Sequence, residues 1–87
     1  MAEFSAVVEA GGGGGHFVQV PADAAEAINA RHLMKVKGNL GETPYQSNLM
    51  KSQGRFYLGL HKATLQSAGK DTGDEVVLTI EIDRERG

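Results

Sequence analysis

The stretch Met34-Lys35-Val36-Lys37-Gly38-Asn39-Leu40-Gly41-Glu42-Thr43-Pro44-Tyr45-Gln46-Ser47-Asn48-Leu49-Met50 decides the fold class. Met34, Val36 and Leu40 fall on one side of a period-two pattern, and Lys35, Lys37 and Asn39 on the other. That is a half-buried strand with a cationic outer face. Gly38 interrupts it and marks either a bulge or a close backbone approach. Gly41-Glu42 carries glycine first, the signature of a type II′ two-residue turn. The returning strand, residues 43–50, has Pro44 near its start, where a missing N–H does least harm. It puts Tyr45, Ser47 and Leu49 on one face and Gln46 and Asn48 on the other.

Outward from this hairpin the same grammar repeats. Residues 51–54, Lys51-Ser52-Gln53-Gly54, make a second turn, and residues 55–60 a strand with Phe56, Leu58 and Leu60 inward. Residues 61–68 read helical, with Gly69 as the left-handed stop. After the polar turn at 71–74, Val76, Leu78, Ile80 and Ile82 share one face of a last strand. On the N-terminal side, residues 4–8 alternate as a first strand, five glycines at 11–15 break the chain, and residues 16–20 resume it. Pro21 ends that strand and opens a short helix, with Ala24, Ala27 and Ile28 as its apolar face. Asp23 is placed to cap its first turn. The sum is six short strands and two short helices in one domain, residues 1–87. Antiparallel hairpins with thin helices do not build a parallel sheet, so a small barrel is the simplest closure.

Charge is distributed in blocks. Residues 31–70 hold seven bases and one acid, Glu42, whereas residues 1–30 hold four acids and no base, and residues 71–87 six acids and two bases. A cationic middle in a chain of net charge −2 suggests a local field for an anionic partner. The chain has no cysteine, so disulfides and thiolate metal sites are excluded. No apolar run reaches the roughly 18 residues of a membrane span, and the N-terminus lacks the basic flank of a signal peptide. The expected address is the cytoplasm, with no membrane partner.

Several ordered motifs carry a resemblance. Gly12-Gly13-Gly14-Gly15-His16-Phe17-Val18-Gln19-Val20-Pro21, Lys35-Val36-Lys37-Gly38, Pro44-Tyr45-Gln46-Ser47-Asn48-Leu49 and Gly69-Lys70-Asp71-Thr72-Gly73-Asp74-Glu75-Val76 together resemble the bacterial family catalogued as domain of unknown function 1905. The resemblance covers nearly the whole chain. It implies a six-stranded double-split β-barrel with two short helices, the fold class of the AbrB and MazE swapped-hairpin transcription regulators. Where that family often has Asn-Gly in the third turn, this chain has Gly41-Glu42. Members of the family are often fused to a YdeI/OmpD-associated bacteriocin-protection domain. The chain stops just after Asp83-Arg84-Glu85-Arg86, where such a fusion begins, so it is read as a stand-alone or a trimmed member.

The candidate sites divide unevenly. The glycine run could nest a phosphate, but a strand and His16 follow it where a phosphate loop needs a helix and a Lys-Ser or Lys-Thr pair. A hairpin loop is the better reading. His16, His32 and His61 have no metal-ligand spacing, and the serines sit in no nucleophile motif; Ser47 facing His61 is the nearest approach to one. Glu75, Glu81 and Asp83 alternate with apolar residues, the pattern of a solvated face. The expectation is no catalytic residue, no metal and no cofactor. The surface that remains is Lys35, Lys37, Asn48, Arg55, Tyr57 and Lys62, a cationic patch with an amide and an aromatic ring. Its plain competitor is a row of solubilising lysines. The functional expectation is a small non-enzymatic binding module, monomer or homodimer, for an anionic ligand or a protein partner. The alternative is a nucleic-acid-binding dimer of the AbrB/MazE kind, and a third reading is an accessory domain in bacteriocin protection.

Overall fold

A computed structural model describes residues 2–11 and 15–84. Its strands are β1 (Ala2–Val7), β2 (Glu9–Ala10), β3 (His16–Val20), β4 (Lys35–Leu40), β5 (Thr43–Ser52), β6 (Arg55–Leu60) and β7 (Glu75–Ile82). The helices are α1 (Ala22–Ala27) and α2 (Lys62–Ala68). The strands form one antiparallel sheet in the order β1-β7-β4-β5-β6-β3-β2. The two ends of that order, β1 and β2, are consecutive in the chain, so the sheet curls into a nearly closed barrel. Near-closure leaves few unpaired edges.

Two strands make the split. β5 pairs with β4 over residues 43–48 and with β6 over residues 49–52, passing from one half of the barrel to the other between Asn48 and Leu49. Where it leaves β6, the Ser47 hydroxyl donates to the Gly59 carbonyl at 2.6 Å and ties the parting strands. The N-terminal strand divides in the same way. It was expected as one strand, residues 4–8, among six; it is two, and the barrel has seven. Its residue Val8 is buried, its N–H donates to the Asp74 carbonyl (3.0 Å) and its carbonyl accepts from Gly73 N–H (2.8 Å). With both Val8 backbone groups held by the 71–74 turn, the chain leaves β7 there and pairs onward with β3.

Alternation fills the interior as expected from the sequence. Val18, Val36, Leu40, Leu49, Leu58, Leu78 and Ile80 are all at most 1% exposed, and α1 and α2 add Ala24, Ala25 and Leu65. Two details depart from the sequence reading. Asp23 lies inside the first turn of α1, whose N-cap is Pro21, and no side chain caps that helix. Asp83 is not on a solvated face: it is 2% exposed, and its N–H extends the β7–β4 ladder to the Lys35 carbonyl at 2.9 Å. Gly41 has φ +62°, while Glu42 does not take a positive φ, as the type II′ turn requires. Of the glycine run, Gly11 N–H donates to the Gly15 carbonyl at 2.7 Å, across the hairpin of β2 and β3. The phosphate-nest and loop readings themselves fall on residues 12–14, outside the described residues.

Gly38 resolves to the second of its two readings. Its pairing with Tyr45 is one-to-one, so there is no bulge toward β5. A Cβ on Gly38 would instead stand 1.9 Å from the Thr79 carbonyl oxygen of β7. The ladder is locally rewired around this approach. Asn39 N–H donates to Thr79 Oγ1 at 2.9 Å, and the Tyr45 hydroxyl donates to the Thr79 carbonyl at 2.6 Å. Tyr45 thus reaches from β5 past β4 to β7.

Candidate functional site

The register of β4, β5 and β6 assembles most of the cationic surface. Lys35 stands opposite Asn48, and Lys37 opposite Gln46, all on the outward face of the β4–β5 hairpin. Two residues further along β5, Met50 faces outward, 48% exposed, opposite Tyr57 of β6. Tyr57 is also opposite Gln19 of β3, and its ring meets Phe17 edge-on, centroids 5.6 Å apart and planes at 82°. Such an arrangement uses the positive edge of one ring against the negative face of the other. Arg55 lies at the far end of the same face, opposite Ser52 beside the Gln53-Gly54 turn. Lys62 does not belong to this face; it is on the first turn of α2.

Acid placement decides how strong the field is. Glu3 and Glu75 sit exposed on the β1–β7 ribbon, in register with Thr79 and Val7, away from β5 and β6. Glu81 and Asp83 are the exceptions: Glu81 is the direct β7 partner of Lys37, and Asp83, bonded through its N–H to the Lys35 carbonyl, stands beside Lys35. Lys37 therefore carries an acid on one side and Gln46 on the other. Arg55 shares a cleft with Glu26 of α1. Cross-strand opposites of this sort are worth tenths of a kcal/mol and reduce the field without removing it. Lys35 lies between Asn48 on one side and Asp83 on the other.

Sequence reasoning passed over Phe17, Met50 and Leu33 on this surface, and Lys51 behind it. Lys51, next to last in β5, alternates to the side opposite Met50, with its ammonium 5.6 Å from the ring centroid of its partner Phe56. Its backbone N–H donates to His32 Nδ1 at 3.0 Å, which docks the 31–33 loop beside β5. Leu33, in that loop, is 59% exposed at φ +63°; its N–H donates to the Leu49 carbonyl at 2.8 Å. Met50 and Phe17 were legible as outward positions by alternation, whereas the φ of Leu33 has no sequence signal.

A cleft of about 730 Å³, open to solvent, adjoins the face on the α2 side. Lys37, Asn39, Gln46, His61 and Glu81 line it around the Gly38–Thr79 approach. Its phenol, Tyr45, is committed to the Thr79 carbonyl and holds its proton strongly. Burial, and secondarily the charge of Glu81, push its ionisation well above the ordinary value of 10.0. A folded-state pKa above the unfolded one stabilises the fold below the unfolded pKa and loses that contribution as pH rises past it. Denaturant midpoints should therefore fall as pH goes from about 9 to about 11. Tyr45→Phe should blunt that fall and cost about 1–2 kcal/mol at neutral pH, because the Thr79 carbonyl loses its donor. A midpoint equally steep in the variant would show that Tyr45 is not the group responsible.

The remaining candidates stay apart. Ser47 is engaged with Gly59, and His32 accepts from Lys51. His16 Nδ1 is buried without a hydrogen-bond partner among the described residues. Among those residues no three His, Asp or Glu side chains come together as a metal site would need. No helix is long and apolar enough to cross a membrane.

A family model, that of a domain of unknown function, DUF1905, matches residues 4–80 of this nearly closed seven-stranded barrel. The chain belongs to the DUF1905 family. The match runs from β1 into β7 and spans every element that builds the outer face of this DUF1905 domain. No curated protein matches the chain.

Proposed function

We propose that this DUF1905 domain is a non-enzymatic binding module whose β4–β5–β6 outer face receives an anionic partner. The observation that carries the reading is the register itself. It sets Lys35, Lys37 and Arg55 on outer strands away from Glu3 and Glu75, which supports a locally cationic surface on a chain of net charge −2, with Glu81 and Asp83 as its acidic neighbours. A charged pole steers an oppositely charged partner and sets orientation more than it sets affinity. The non-enzymatic part is supported by the hydroxyls: those of Tyr45 and Ser47 both donate to backbone carbonyls and hold strands together.

The test is the double variant Lys35→Glu with Lys37→Glu, titrated with inorganic polyphosphate in low salt. Both side chains lie on an outer face, so the circular dichroism spectrum should stay the same, and the melting temperature should fall modestly as Glu81 and Asp83 gain like-charged neighbours. Binding should weaken by at least about tenfold, the effect of reversing two charges at a solvated contact. If the folded double variant binds polyphosphate as the wild type does, the lysines only solubilise the sheet.

A further inference from the structure

Three apolar side chains cross the barrel's outer face in a row, Tyr57 of β6, Met50 of β5 and Leu33 of the loop docked beside it, and Phe17 of β3 meets Tyr57 edge-on from two residues out of register. Neighbouring strands are about 4.8 Å apart, so the row is a narrow apolar stripe perpendicular to the strands. Two residues along the strands to one side stand Asn48 and, opposite it, Lys35. To the other side stand Ser52 and Arg55. Glu9 of β2 stands opposite Phe17.

Leu33 gives the row an independent mark. A leucine in the left-handed region is held against its own backbone preference, and here the strain keeps 59% of an apolar residue in water. The backbone of Leu33 serves the fold through its N–H bond to the Leu49 carbonyl, but its exposed side chain does not, and is accounted for if something covers the stripe.

Resting on the anion-binding reading above, we infer that the occupant is single-stranded nucleic acid, with bases on the Tyr57–Met50–Leu33 row and phosphates at Lys35 and Arg55. Charge complementarity calls for an anion along both margins of an apolar stripe. An unpaired strand is such a ligand, since every base has a flat face and every linkage a charge. A peptide anchors by burying side chains in pockets. The larger clefts of this barrel are lined by other residues, including the 730 Å³ one beside α2. A flat row one side chain wide suits stacking.

The experiment is fluorescence anisotropy with a labelled fifteen-nucleotide oligo-dT, inorganic polyphosphate as an anion without bases, and a poly-glutamate peptide. Wild type, Met50→Ser and Leu33→Gly are compared at two salt concentrations. Oligo-dT should bind about tenfold or more tightly than polyphosphate, with affinity falling as salt rises. Met50→Ser should weaken oligo-dT at least about fivefold while leaving polyphosphate unchanged. Leu33→Gly should do the same and yet raise the melting temperature, because glycine relieves the left-handed strain. A merely structural role would move stability and binding together. Equal affinity for oligo-dT and polyphosphate, indifferent to both variants, would overturn the base-stacking inference and leave the anion face standing. Tightest binding of poly-glutamate would overturn it in favour of a protein partner. Failure of all three probes would overturn the inference and the anion face together.

Discussion

Gly38→Ala should abolish the folded barrel at room temperature or leave it with a melting temperature too low to give a clean transition. The added methyl carbon would stand 1.9 Å from the Thr79 carbonyl oxygen, and that oxygen belongs to a backbone at the centre of the sheet. Relief requires β7 to move away from β4. Movement there would break the bonds Tyr45 and Asn39 make to Thr79, and would disturb Leu78 and Ile80, both wholly buried. Overpacking a core costs about 1–3 kcal/mol when side chains can yield, and backbone yields less readily. A domain of this size has about 4–13 kcal/mol in all. Thermal unfolding followed by circular dichroism checks it; an alanine variant melting within a few degrees of wild type would mean β7 does not approach Gly38 this closely.

Leu49→Ala should be the second most damaging substitution, at about 3–5 kcal/mol by chemical denaturation. Leu49 is fully buried and opposite the equally buried Leu58, at the point where β5 passes from β4 to β6. Its backbone N–H donates to the Met34 carbonyl at 2.9 Å, and its carbonyl accepts from Leu33. Removing the side chain leaves a cavity that neither half of the barrel can close alone, because each is held by its own ladder. Met50→Ala, one residue away but outward and half exposed, should change stability by less than about 1 kcal/mol. The contrast between adjacent positions tests the alternation on which the outer face depends. Similar losses at both would show that the face has been assigned to the wrong side.

Much of this was legible in the chain before folding, for reasons that can be named. Period-two burial marked the inward residues of β4 to β7, since each strand is wet on one side only. Gly38 announced a local event, but only three dimensions show that a carbonyl, rather than a bulge, fills its missing Cβ. The division of the first strand at Val8 was hidden. It depends on the Gly73 and Asp74 backbone, more than sixty residues later, capturing both Val8 hydrogen-bonding groups. Asp83 was misjudged because alternation predicts which way a residue points, not whether another part of the chain covers it. At the candidate face, the pairing of Lys35 with Asn48 followed from the turn at Gly41. Its neutralising neighbour Glu81 did not, because β7 joins β4 by a long-range pairing that no local pattern encodes. Lys62 shows the same limit: adjacency in sequence to the cationic strands did not bring it onto their sheet.

The most direct test of the cationic face is an amide NMR titration of labelled protein with inorganic polyphosphate at low and moderate salt. Shifts should concentrate at Lys35, Asn48, Met50 and Tyr57 and fade as salt is added, because the contacts are between solvated charges. Shifts confined to the β1–β7 ribbon that carries Glu3 and Glu75, or no shift at all, would contradict the account.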